Sequence, residues 1–129
     1  MVSDSIYFIK WGTSFGECSG YCRNEVTINA NKIIKVKKSY NIKDSIIYHS
    51  TTITKPQWVE LKNSFDIKAF FKLPQRIGCP DCSDGGAEWI EIQCSDRIYK
   101  VTFEYGANIS AIKGLLKIFR QIKEQAIAR

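Results

Sequence analysis

The chain has few of the side chains on which most enzyme chemistry depends. Its 129 residues include a single histidine, His49, in a strand-like stretch. The sequence has no glycine-rich phosphate loop, no nucleophile elbow and no histidine pair with metal-binding spacing. A Cys–His hydrolase would need a cysteine and an orienting carboxylate brought to His49, so an ordinary sheet histidine is favoured. The sequence therefore favours a non-enzymatic protein over an enzyme.

Long apolar runs are also lacking. No segment approaches the roughly 18 apolar residues that a membrane-spanning helix needs, so no membrane span is predicted. No secretory signal peptide precedes the first strand-like stretch, which predicts a cytoplasmic protein, or an exported one if a leader has been removed. The hydrophobic share of 44% and the charged share of 25% are ordinary for a soluble protein, and the length predicts a single domain over 1–129.

Acidic residues are missing from one basic stretch. The net charge is +6, and residues 32–43 contain no acid but five lysines: Lys32, Lys35, Lys37, Lys38 and Lys43. The last predicted helix carries a second basic group, Lys113, Lys117, Arg120 and Lys123. A solvated lysine face is the favoured interpretation of such runs. The alternative is a nucleic-acid-binding surface that uses the basic strand at 32–43, Tyr40 and the last helix.

Strand-forming composition or alternation of apolar and polar residues predicts strands in two groups, at 5–11, 24–30, 33–40, 45–53, 88–94 and 98–105. In the strand at 33–40 we expect Ile34, Val36 and Tyr40 to point inward, with Lys35 and Lys37 outward. The alternation is clearest in the last two strands. One apolar set there is Ile90, Ile92 and Cys94, and the other is Tyr99, Val101, Phe103 and Tyr105.

Two helices are predicted, at 54–65 and from 110 to about 126. Thr54 and Gln57 have the spacing of a capping box at the start of the first helix. Gly114 in the second predicts a close approach of that helix to the sheet. The apolar stretch 67–73 is predicted as an edge strand or extended linker. The order of elements predicts an α+β fold: an antiparallel sheet of five to six strands, a meander plus a C-terminal hairpin, with two helices packed on one face.

Four of the five cysteines form two close pairs, Cys18-x3-Cys22 and Cys79-x2-Cys82. One hypothesis is a structural zinc ion held by all four thiolates, because zinc favours tetrahedral sulfur sites. A second is two disulfides, within the pairs or across them, which need an oxidising compartment. A third is free thiols. Cys94 lies on the apolar face of its strand and is predicted to be a small core residue.

The Cys79-Pro-Asp-Cys82 segment also raises the hypothesis of a thiol redox enzyme. Redox-active pairs of this spacing usually stand at a helix N-terminus, where the dipole lowers the thiol pKa. Here a loop and then a strand follow Cys82, and Asp81 and Asp84 flank it. Negative neighbours raise a thiol pKa, so this hypothesis is the less favoured one.

The segment Phe15-Gly16-Glu17-Cys18-Ser19-Gly20-Tyr21, ahead of a predicted hairpin, resembles a family of small bacterial domains common in Bacteroidota, whose N-terminal signature is FGxCxxY. The segment from Cys79 to Trp89 and the last hairpin and helix are also similar to that family. The resemblance implies the same fold and two important loops. It implies no activity, and many members look like lipoproteins or exported proteins.

Together these observations predict a small non-enzymatic binding domain. Its two cysteine loops are expected to meet at one end of the sheet, tied by zinc or by disulfides, and to present a surface to another protein. Nucleic-acid binding and thiol redox chemistry are the alternatives.

Overall fold

A seven-stranded mixed sheet forms the body of the protein. The computed structural model describes residues 6–16, 21–39, 46–82 and 85–127. The strands are β1 Ile6–Ser14, β2 Tyr21–Ile28, β3 Lys32–Ser39, β4 Ile46–Thr52, β5 Arg76–Ile77, β6 Ala87–Cys94 and β7 Ile98–Glu104. Their order across the sheet is β4-β3-β2-β1-β6-β7-β5. The first four strands form an antiparallel meander, β6 and β7 form a hairpin, and β1 pairs with β6 to join the two.

Three α-helices accompany the sheet: α1 Lys55–Lys62, α2 Ile67–Phe71 and α3 Lys113–Ile127, the last preceded by a 3₁₀ turn at Ser110–Ile112. The capping box of α1 is confirmed. Thr54 Oγ1 accepts from the Gln57 amide at 3.2 Å, and Gln57 Oε1 accepts from the Thr54 amide at 2.9 Å. Among the described residues, no helix is long and apolar enough to cross a membrane.

The mixed α and β character is as predicted, but the count of elements is not. The sheet has seven strands rather than five to six, because the short β5 pairs in parallel with β7. The described residues form three α-helices rather than two, because 67–71 is a helix and not part of a strand or linker. Asp66 caps α2 by accepting from the Lys68 amide at 3.0 Å, and Ile67 and Phe70 bury one face of the turn. Short apolar runs are ambiguous between helix and strand.

The core lies where the central strands meet the helices. Trp11 of β1 stacks on Phe119 of α3 with ring centroids 6.0 Å apart. All three helices contribute side chains to one buried cluster with β1, β2, β6 and β7. A Cβ at Gly114 would overlap the carbonyl oxygen of Ser64. The close approach at this glycine is therefore to the chain between α1 and α2, not to the sheet as predicted.

The strand β3 faces the opposite way from the prediction. Lys35 pairs with Val26, and directly paired residues of neighbouring strands share a face. Val26 is 3% exposed and belongs to the core, so Lys35 lies on the core side of the sheet. Ile34 and Val36 therefore lie on the other side, and Ile33 makes the apolar contact with the core. Because both alternating sets of β3 contain apolar residues, its pattern does not fix which face is buried.

A buried carboxylate connects the sheet, α3 and the turn after β7. Glu88 of β6 is fully buried. Its two oxygens accept from Arg120 Nε at 3.0 Å and Arg120 Nη2 at 2.8 Å, from Trp11 Nε1 at 2.6 Å and from the Gly106 amide at 2.9 Å. Arg120 also donates to the Ala107 carbonyl at 3.0 Å. A buried charge with this many donors is stable only while its partners are present.

We expect Glu88→Gln to lower the free energy of unfolding by about 3 kcal/mol, because it removes one charge of a buried, hydrogen-bonded pair. The value lies at the low end for such pairs because the Arg120 side chain is 38% exposed and can be partly solvated. Glu91→Gln is the matched control on the same strand, since Glu91 lies on the other face and is only half-buried. It should cost about 1 kcal/mol or less. Chemical denaturation of both variants measures the difference, and equal losses would contradict a structural role for Glu88.

Candidate functional site at the cysteine end of the sheet

Two loops leave the sheet at the same end. Ser14, the last residue of β1, pairs with Arg23 of β2 on one side and with Ala87 of β6 on the other. The loop between β1 and β2 therefore starts beside the point where the loop before β6 ends. Ala87 pairs in turn with Glu104 of β7. We call this end of the sheet, marked by Ser14, Arg23, Ala87 and Glu104, the cysteine end.

A disulfide closes the loop that precedes β6. Cys79 and Cys82 are bonded to each other, with their Cα atoms 5.5 Å apart, a usual separation for a disulfide. The Cys82 amide donates to the Cys79 carbonyl at 3.2 Å, and Asp81 takes a φ of 65° inside this tight turn. The Cys79 amide donates to Glu104 Oε2 at 2.8 Å. That bond attaches the turn to the end of β7.

The first loop is closed at its base by a backbone hydrogen bond next to a disulfide-bonded cysteine. Cys22 of β2 is 1% exposed and is also disulfide-bonded. Its carbonyl accepts from the Phe15 amide at 3.0 Å. Cys18, the other cysteine of the first pair, lies outside the described residues. Of the first cysteine pair, the structure therefore describes Cys22 alone.

The loops meet through an aromatic ring. Gly86 has a φ of 86°, and a Cβ at this position would overlap the ring of Phe15. The same ring packs edge-on against Tyr105, with ring centroids 4.8 Å apart. Phe15 thus joins the start of the first loop, the end of the second loop and the residue after β7. The contact between the loops that the structure describes is aromatic packing on a glycine.

A cleft opens beside this contact. Its volume is about 400 Å³, and it is lined by Cys79, Cys82, Gly85, Gly86, Glu104 and Tyr105. Tyr105 is 46% exposed although its ring rests on Phe15. The Cys79–Cys82 turn forms part of the wall, and both cysteines are exposed residues. The cleft combines an aromatic face, a carboxylate and a disulfide, so it can receive a side chain of a partner.

The predicted zinc site is not decided by these contacts. Within the described ranges, no group of three or more Cys, His, Asp or Glu side chains is gathered to bind a metal ion. The four-cysteine site needs Cys18, so zinc at Cys18, Cys22, Cys79 and Cys82 stays a prediction. Zinc binds thiolates, and a disulfide-bonded Cys79 and Cys82 have none to offer. Zinc and this disulfide therefore exclude each other.

Cys94 is confirmed as a core residue. It is 1% exposed and is the free cysteine of the described part of the chain. Burial raises the pKa of the Cys94 thiol, the nearby Asp96 raises it further, and Arg97 partly opposes both. The thiol is therefore protonated near neutral pH. Its side chain fills the core beside β1 and takes no part in the cysteine end.

The basic strand is divided over both faces of the sheet. Lys35 and Lys37 lie on the core side, and Lys32 and Lys38 on the other, because neighbouring residues of a strand alternate. Tyr40 and Lys43 lie outside the described residues. Arg120 of the last helix is bound to Glu88. The described residues do not gather these groups on one surface, and nucleic-acid binding stays a prediction.

The sequence pattern did not reveal what holds the cysteine end together. Phe15 and Gly86 are 71 positions apart, and no local periodicity connects them. The Gly85-Gly86 pair indicated only a turn. Glu104 looked like an outward residue of β7, yet it accepts a hydrogen bond from the Cys79 amide. The one available signal was the cluster of glycines and aromatic residues around both cysteine pairs.

We expect Gly86→Ala to destabilise the fold more than Gly106→Ala. Both glycines have positive φ, 86° and 78°, but only at Gly86 would a Cβ meet another group. The backbone strain of about 1–2 kcal/mol should be common to both variants. Displacing the Phe15 ring should cost Gly86→Ala a further 1–3 kcal/mol or so. Denaturant unfolding gives both values, and equal losses would show that Phe15 does not rest on Gly86.

A thiol count combined with metal analysis distinguishes disulfides, a zinc ion and free thiols as the state of the cysteines at the cysteine end. Protein purified without reductant should show one reactive thiol when denatured, Cys94, and five after reduction. Before denaturation Cys94 should react slowly, because it is buried and its thiol pKa is raised. Five thiols without reduction and about one zinc per chain would replace the disulfides with the zinc site. Five thiols and no metal would exclude both the disulfides and the zinc site.

No known protein family matches the chain, and no curated protein matches it either. Membership of the FGxCxxY family therefore stays a prediction. The case for a function rests on the geometry of the chain itself.

Proposed function

We propose that the protein is a small non-enzymatic interaction domain that binds another protein at the cysteine end of its sheet. The observation that carries the proposal is the cleft of about 400 Å³ between the Cys79–Cys82 turn and the exposed ring of Tyr105. In this proposal the two cysteine loops frame the surface, with the Cys79–Cys82 disulfide tying one loop and the disulfide-bonded Cys22 at the base of the other. A structural zinc ion is the alternative tie.

The cleft has the features of a preformed binding surface. A disulfide turn loses little conformational entropy when it is covered, and a partner that binds rigid groups keeps more of its interaction energy. Tyr105 offers a large amphipathic ring that Phe15 already holds in place. Tyrosine is one of the residue types enriched among those that dominate protein–protein binding energies. Glu104 adds an acidic group at the wall of the cleft.

The positions of Glu88, Glu104 and His49 support a binding role over catalysis. Glu88 is fully buried, and its hydrogen bonds go to Trp11, Arg120 and Gly106. Glu104 accepts from a backbone amide of the cysteine turn. His49, the one histidine, lies in β4 and pairs with Lys35 of β3, several strands away from the cleft. Each of these groups has a structural position rather than a place in an acid–base pair.

Site-specific photo-crosslinking tests this surface. A photoreactive phenylalanine analogue replaces Tyr105 in one variant and Asp96 in another. Asp96 lies in the β6–β7 turn, at the opposite end of the sheet from Tyr105. In cells of the source organism we expect a discrete protein adduct from position 105 and none from position 96. The same adduct from both positions, or an adduct only from position 96, would contradict the proposal.

A further inference from the structure

The edge strand β4 exposes its whole length. It is the outermost strand on one side of the sheet, and every residue of Ile46–Thr52 is exposed. Ile46 is 56% exposed, Ile47 is 47% exposed and Tyr48 is 64% exposed. Because neighbouring residues of a strand point to opposite faces, these three leave apolar surface open on both sides of β4.

Within Ile46–Thr52, the described part of this edge, several of the features by which sheet proteins usually block strand addition are absent. Those features are prolines, inward charges, bulges and very short edge strands. Ile46–Thr52 contains no proline, lysine, arginine or acid. It pairs with β3 through seven consecutive residues without a register shift, whereas the β1–β6 and β2–β3 pairings each contain one. At the other edge, β5 has only two residues. The long, regular edge is thus on the β4 side.

The strand behind this edge is basic. β3 contributes Lys32, Lys35, Lys37 and Lys38, and neither β3 nor β4 contains an acid. In the register, Lys37 stands beside Ile47 and Lys35 beside His49 on the core side. On the other side, Lys32 stands beside Thr52 and Lys38 beside Ile46. Any strand added to β4 would therefore have lysines of β3 two strand spacings away, with β4 between them, on both faces of the sheet.

We propose that β4 binds an extended acidic segment of another protein, which adds to the sheet as an eighth strand. Backbone hydrogen bonds to the outer edge of β4 supply the affinity that strand addition generally has. Acidic side chains of the segment, alternating between the two faces, lie toward the lysines of β3. Its apolar side chains cover Ile46, Ile47 and Tyr48. This surface is separate from the cleft at Tyr105, so the proposal does not depend on the proposed function.

Charge favours this occupant over a second copy of the chain. Pairing of β4 with β4 of another copy would bring two four-lysine strands to within three strand spacings, about 14 Å. An acidic segment instead brings negative charge toward Lys32 and Lys37; Lys38 already lies 3.8 Å from the Glu25 carboxylate of β2. Nucleic acid is less well matched, because the lysines are split between opposite faces and a phosphate backbone does not form strand hydrogen bonds with an edge. The apolar residues of β4 also suit a peptide better.

The test uses a fluorescently labelled ten-residue peptide with the repeat Glu-Glu-Val-Val, which places glutamate and valine on both faces of an added strand, with anisotropy as the readout. Three controls accompany it: the same peptide with lysine for glutamate, the same peptide N-methylated at alternate amides, and a single-stranded oligonucleotide. The matched variants are Lys32→Glu/Lys37→Glu on β3, one lysine on each face, and Lys113→Glu/Lys117→Glu on α3, which make the same charge change. Circular dichroism confirms that each variant is folded, and amide exchange reports on β4.

We expect the glutamate peptide to bind and to slow amide exchange in β4. The β3 reversal should weaken binding by about tenfold or more, which corresponds to 1.4 kcal/mol, while the α3 reversal leaves it within about twofold. The β3 reversal should also begin to bind the lysine peptide. Equal binding of the N-methylated peptide, equal loss in both variants, or no binding would overturn the proposal. Tighter binding of the oligonucleotide, or a concentration-dependent dimer that excludes the peptide, would overturn it as well.

Discussion

The pairing of β1 with two partners is the constraint on which the rest of the structure depends. β1 lies between β2 and β6, antiparallel to both, and Ser14 at its end pairs with Arg23 and Ala87. This register brings two loops to one end of the sheet although Cys22 and Cys79 are 57 positions apart in the sequence. Phe15 then follows directly from β1 and rests on Gly86. A shift of one residue would turn Phe15 to the other face and separate the loops.

A buried charge on the core side of the sheet also holds the cysteine end in place. Glu88 stands one residue after Ala87 and accepts hydrogen bonds from α3, from β1 and from the turn after β7. That turn holds Gly106, next to Tyr105 at the surface. The Glu88–Arg120 pair therefore positions the chain that presents Tyr105. Two or three residues of backbone connect the buried pair to the surface of the cleft. Substitutions in the core should therefore alter the positions of the residues that line the cleft.

Sequence reasoning succeeded where one face is clearly apolar and failed where both faces are mixed. The β6–β7 hairpin was predicted because Ile90, Ile92, Val101 and Phe103 alternate with polar residues, and all four are buried. The orientation of β3 was wrong because its apolar and lysine residues occur in both alternating sets. The residues 67–73 were misassigned because a short apolar run has no clear period. The contact between the loops could not be predicted, since it depends on register between distant strands. The pairing of the cysteines in the first loop is still a prediction, because Cys18 is not described.

The central claim is that Phe15 joins the two cysteine loops by lying on Gly86 and against Tyr105. Nuclear Overhauser effects between the Phe15 ring protons and the α protons of Gly86 measure this contact directly in solution. The account predicts strong cross-peaks from the Phe15 ring to Gly86 and to the Tyr105 ring, with a Gly86 α proton shifted upfield by the ring. Cross-peaks from Phe15 only to its own strand neighbours, with ordinary Gly86 shifts, would contradict it.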